Sequence, residues 1–152
     1  MQQHFDIQQA TRANILNAIE GLSIAQLNQI PKGFNNNIIW NVAHILVTQQ
    51  LLVYGLSGLP FSIDNSLIEQ FRKGTSVSNP IPKSEVDNIK FLFLTTIKVC
   101  QEDYESGLFQ TYKSYTTSYN ITLEKAEDGL LFNNIHEGLH YGYIMAMKKS
   151  IA

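Results

Sequence analysis

Asn37-Ile38-Ile39-Trp40-Asn41-Val42-Ala43-His44-Ile45-Leu46-Val47-Thr48-Gln49-Gln50-Leu51-Leu52-Val53-Tyr54 is apolar almost all the way round a helix, and no charged residue occurs between Lys32 and Asp64. A helix with one polar face lies on a surface, whereas one apolar on several sides is buried on several sides. Its length would suit a bilayer, but Asn41, His44, Thr48, Gln49 and Gln50 would then sit in lipid at high cost. The expectation is a central helix of a soluble helical bundle, with no membrane partner. Its polar exceptions Asn41, His44 and Thr48 fall at i, i+3 and i+7 and share one face.

Working outward, the same helical period recurs and no alternating strand stands out. A first helix is expected from Gln2 to Glu20, with Ile15 and Ile19 on its apolar stripe and Gly21 as its stop. Ser23-Ile24-Ala25-Gln26 reads as a capping box opening one short turn. The central helix takes Asn35 or Asn36 as its cap and Gly55 as its end. Residues 56–82 form a long crossover, with a short helix expected from Asp64 to Lys73. Val86, Ile89, Phe93, Ile97, Cys100 and Tyr104 mark a third long helix after Pro82, opened by a capping-box-like Ser84-Glu85-Val86-Asp87 and stopped by Gly107. A second long connection carries Tyr112, Tyr115 and Tyr119, which either stack a ligand or pack the loop on the bundle. A fourth helix is expected from Leu123 to Lys149, capped by Thr122, with acidic residues in its first turns and Lys148 and Lys149 in its last, as the helix dipole favours. Its stripe reads Gly129, Asn133, His136, His140, Tyr143, Met147.

The chain has 152 residues, enough for one domain over 1–152 with a sizeable core. Apolar residues make up 44% and charged residues 16%, with a net charge of −2. That balance argues against disorder, and without a basic cluster it excludes a dedicated nucleic-acid binder. No secretory signal is read in Met1-Gln2-Gln3-His4-Phe5-Asp6. A single cysteine, Cys100, permits no internal disulfide and suits a reducing, cytoplasmic setting. On an apolar stripe with no charge beside it, Cys100 reads as an inert core residue rather than a nucleophile.

Chemistry concentrates in the histidines, of which there are only four. His136 and His140 are spaced i, i+4, which stacks two imidazoles on one helix face so that both can reach one metal ion. His44, on the polar stripe of the central helix, supplies a third imidazole from a facing helix, as metal sites in bundles require. Three histidines leave coordination positions open for chemistry. His4 reads as solvated. His136-Glu137-Gly138-Leu139-His140 also matches H-E-x-x-H, the zinc-protease pattern, but no further His, Asp or Glu follows His140 to complete it. Glu137 reads as a catalytic acid or base beside the metal, or else as a surface carboxylate. Asn41, Thr48 and Asn133 either orient a ligand imidazole or satisfy buried backbone groups. Trp40 reads as core, and Tyr143, on the histidine stripe, as a pocket residue.

Two stretches, Ile38-Ile39-Trp40-Asn41-Val42-Ala43-His44-Ile45 and His136-Glu137-Gly138-Leu139-His140-Tyr141-Gly142-Tyr143-Ile144, in this order and either side of a long crossover, resemble the DinB/YfiT-like metalloenzyme family. The resemblance covers nearly the whole chain. It implies an all-α four-helix bundle in up-down-down-up order, with a long crossover between helices 2 and 3. It implies a metal triad of one histidine from helix 2 and two from helix 4, here His44, His136 and His140, holding zinc or nickel. It also implies a homodimer and a small-molecule substrate. Some relatives use a low-molecular-weight thiol as cosubstrate, as S-transferases or isomerases. The chain departs from the pattern where Tyr143 follows Gly142, a place at which many members carry Gln. The expected function is therefore a divalent-metal-dependent enzyme, with a non-catalytic metal-binding or interaction bundle as the alternative and a metal-dependent hydrolase behind it.

Overall fold

The computed structural model describes residues 1–151. Six helices carry the fold: α1 (Gln2–Ile19), α2 (Ile24–Asn28), α3 (Ile38–Gln49), α4 (Asn65–Phe71), α5 (Lys83–Glu105) and α6 (Ala126–Ile151). The long helices α1 and α3 each pack against both α5 and α6, so four apolar faces converge on one interior. The central helix is buried as its composition requires, with every residue from Ile38 to Val47 out of solvent. The 18-residue stretch Ile38–Gly55 is long and apolar enough to cross a membrane, but 83% of it is buried inside the protein. Ile15, Ile39, Leu46, Ile89, Phe93 and Ile144 belong to the main core cluster, and Phe5, Val53, Ile97, Cys100 and Leu130 to a second one.

Local chemistry explains the ends. Ser23 and Gln26 form the reciprocal capping box at α2, and the Asp64 side chain caps α4. The cap of α3 is Asn37, not Asn35 or Asn36: its side chain accepts from the Trp40 N–H at 2.8 Å. Helix α5 starts at Lys83 behind Pro82 with no side-chain cap, so the Ser84–Asp87 box does not form. Proline at that place needs no donor partner of its own.

Two departures sit between the long helices. Thr122 does not cap α6 but pairs, with Leu123, antiparallel to Tyr115–Thr116 (β1, Tyr115–Thr116; β2, Thr122–Leu123). The Thr116 and Thr122 hydroxyls lie 3.0 Å apart, and β-branched residues suit such a ladder better than a helix start. The second departure follows α3, where residues Gln50–Gly55 widen into a π-helical turn. The Leu52 carbonyl accepts from the Tyr112 hydroxyl at 2.8 Å. Gly129 of α6 meets that pair so closely that a Cβ there would lie 2.7 Å from Tyr112 Oη and 2.9 Å from the Leu52 carbonyl. Glycine at this position is what lets α6 approach the central helix.

Candidate metal centre

Helix α3 aims Trp40, Asn41, His44 and Thr48 at α6, which answers with His136 and His140. One nitrogen from each of the three histidines lies within 4.8 Å of those of the other two. Ring centroids are 4.4 Å apart for His136–His140, 4.9 Å for His44–His140 and 5.1 Å for His44–His136. The 92-residue gap between His44 and His136 is closed to 3.3 Å between their Nε2 atoms. For Zn–N bonds of about 2.0–2.1 Å, tetrahedral angles place two ligand nitrogens about 3.4 Å apart.

The hydrogen bonds behind the rings fix which nitrogens face the centre. His44 Nδ1–H donates to the Phe71 carbonyl at 2.7 Å. Phe71 ends α4, where the last carbonyls lack helical partners, so the crossover helix offers an acceptor for that ring. Asn41 Nδ2 donates to the Asn37 carbonyl at 2.8 Å, which turns its Oδ1 toward His140, whose Nδ1–H donates to it at 2.8 Å. The tautomers follow from these partners. His44 and His140 each present an Nε2 lone pair, the arrangement in which imidazole binds metals. Trp40 stacks on His44 at 4.6 Å and 9° between planes, and its indole N–H donates to Thr75 Oγ1 at 3.1 Å. The Thr48 hydroxyl is 3.4 Å from His44 Nε2. The His136 Nδ1 is buried with no partner among the described residues.

All three rings are held neutral. Burial, then the neighbouring imidazoles of His140 and His44, pushes His136 down to about 2. Burial and then His44 push His140 down to about 4. Burial likewise lowers His44. Neutral imidazoles converging from two helices are the donor set that zinc, nickel and copper share, so the residues fit a divalent cation on their own chemistry.

Two clefts flank the triad. One is lined by Asn41, His140, Trp40, Leu139, Tyr143 and Met147, among others. The other, of about 150 Å³, opens from His44 and His136 and includes Thr48 and Phe132. Tyr143 stands at the mouth of the first, half exposed, with Phe34 edge-on at 5.8 Å.

Glu137 and Asn133 are placed elsewhere. Glu137 is fully buried, and its Oε1 accepts from Arg12 Nη2 at 2.8 Å, Gln8 Nε2 at 2.8 Å and Asn133 Nδ2 at 2.8 Å. Its Oε2 faces Arg12 Nε at 3.2 Å. One step round α6 from His136 points inward to α1 rather than toward the clefts. A carboxylate so held has no route to a substrate, and the catalytic role expected of Glu137 gives way to a structural one. Asn133 likewise serves Glu137 and not an imidazole. Cys100 is fully buried, and burial pushes its thiol up to about 12, which makes it inert. Of the tyrosines, Tyr112 packs the π-helical turn and Tyr115 lines the second cleft.

Sequence reading missed three features of the site. Trp40 was legible, being four residues before His44 and so on its face. Lys73 was expected only as a helix end but lines the second cleft. The Phe71 carbonyl has no sequence signal, since every residue carries one.

An all-α protein with a three-histidine centre between two facing helices is thus the class that fold and site define. A family model described as the DinB superfamily matches residues 8–144, and the chain belongs to that superfamily. Comparison with curated proteins gives no match.

Proposed function

We propose that the chain is a divalent-metal-dependent enzyme, with His44, His136 and His140 holding zinc or nickel and a low-molecular-weight thiol as cosubstrate of an S-transfer or isomerisation. The observation that carries this reading is the convergence of three neutral imidazoles, two with their Nδ1–H groups tied to protein acceptors, on one point beside open clefts. A divalent cation held there would lower the pKa of a thiol or water entering beside it and supply a nucleophile at neutral pH. Asn41 and the Phe71 carbonyl orient the rings, Trp40 stacks one of them in place, and Thr48 and Tyr143 line the approach. In a transfer, the thiol would give its proton to solvent, and its sulfur would form a bond to an electrophilic carbon as the leaving group departs with its electron pair. Superfamily membership agrees with metal binding, and the four long helices suit the up-down-down-up bundle that the resemblance implies, in one cytoplasmic domain.

Mass spectrometry of untagged protein should find close to one divalent metal per chain, and His140→Ala should abolish it. No metal in the native protein, even after incubation with zinc or nickel, would sink this reading and leave a structural bundle.

We further propose a homodimer. Leu131, Ile135, Leu139 and Tyr143 recur every four residues along α6, each about half exposed, a contiguous apolar stripe of the kind that isologous dimers cover. Light scattering should give twice the chain mass, and Ile135→Lys should halve it. A wild-type monomer at high concentration would count against the dimer.

A further inference from the structure

The cleft opening from His44 and His136 carries one formal charge, that of Lys73. Lys73 is exposed, and among the described residues it enters no ion pair, while its neighbour Arg72 is paired with Glu69 at 3.0 Å. Among the described residues no carboxylate lines the cleft. The cleft wall carries the hydroxyls of Thr48, Tyr115, Thr117 and Ser118, and its apolar part is Leu51, Leu52 and Phe132. One cleft of about 150 Å³ is therefore lined by a cation, by hydroxyls and by two of the three imidazoles, His44 and His136. That is room for a short molecule or for one end of a longer one.

We infer that the cosubstrate carries a carboxylate, and that Lys73 binds this group while the sulfur enters beside His44 and His136. The inference rests on the metal-dependent thiol reading above and adds the charge of the molecule to it. An unpaired ammonium in a cleft without carboxylates discriminates by charge, because a neutral ligand of the same shape leaves the lysine with nothing to pair. The hydroxyls of Thr117 and Ser118 can donate to the same carboxylate.

The test uses cobalt(II)-loaded protein, whose visible absorption responds to a sulfur entering at the metal. It is titrated with 3-mercaptopropionate and, separately, with the methyl ester of 3-mercaptopropionate, which is the same thiol without the charge. Wild-type protein should bind the acid roughly tenfold more tightly than the ester, the preference of one charge pair in a partly solvated site. Lys73→Ala should bring the two affinities together with that of the ester unchanged, and Lys73→Glu should reverse the order. Lys73 is a surface side chain, so these variants keep the fold. Equal affinities in the wild type, or a preference that survives in Lys73→Ala, would overturn the role of Lys73 and leave the metal centre standing. Failure to take up cobalt at all would overturn both readings.

Discussion

Glu137→Ala should cost the fold about 3–5 kcal/mol, the range for removing one partner of a buried ion pair. The side chains of Arg12 and Glu137 are both fully buried, and Arg12 also donates to the Phe93 carbonyl, Thr96 and Gln49. One guanidinium thereby joins α1 to α3, α5 and α6. Without the carboxylate its charge stays in the interior with only neutral acceptors, and Gln8 and Asn133 lose their shared partner. Urea unfolding measures the loss. Arg12→Leu combined with Glu137→Met should recover most of it, since two apolar groups leave no buried charge behind. A loss below about 1 kcal/mol in the single variant would show that the pair is not the fastener described here.

The second large effect follows pH. The unfolded chain titrates its histidines near 6.5, whereas His140 takes its proton at about 4 and His136 at about 2 in the folded protein, and His44 is lowered too. Below 6.5 the unfolded state therefore binds protons that the folded state refuses. The metal-free protein should hold its full stability from this source above that pH and lose it as the pH falls toward 4. Near 4, protonation of His140 in the fold begins to halt its share of the loss. His136 and His140 together give a slope approaching about 3 kcal/mol per pH unit, at about 1.4 for each proton, and His44 adds to it in the same direction. Urea midpoints at pH 7, 6 and 5 test this, and His140→Asn should make the slope shallower by one proton. Added metal binds only the neutral rings and should raise stability by about 4 kcal/mol at a thousand times its dissociation constant. A flat profile from pH 7 to 4.5 would mean that the rings are not buried and neutral as described.

The helical period, the buried central helix and the three histidines were legible because each is written in side-chain spacing. Asn41 was legible only as a choice between two roles, and it fills both, one through its nitrogen and one through its oxygen. The role of Glu137 was not read, although a signal existed: Gln8 and Arg12 fall on the same stripe of α1 as Phe5, Ile15 and Ile19. A charge on an apolar stripe demands a counter-charge, and Glu137 is the one that α6 turns inward. The π-helical turn and the Thr116–Thr122 ladder were illegible for another reason. The turn lies where Gly129 of α6 meets the Leu52 carbonyl and Tyr112, a contact between residues far apart in sequence, and strands of two residues are too short to show an alternating pattern.

The order in which the chain emerges during synthesis gives these long-range pairings a further meaning. His44 is made 92 residues before His136, and Arg12 is made 125 residues before Glu137. Until α6 has left the ribosome, the nascent chain presents one stranded histidine and one unmatched arginine. Neither can hold a metal ion or close a core. Assembly of the three-imidazole donor set and neutralisation of the interior charge thus wait for the same helix, so an incomplete chain offers neither.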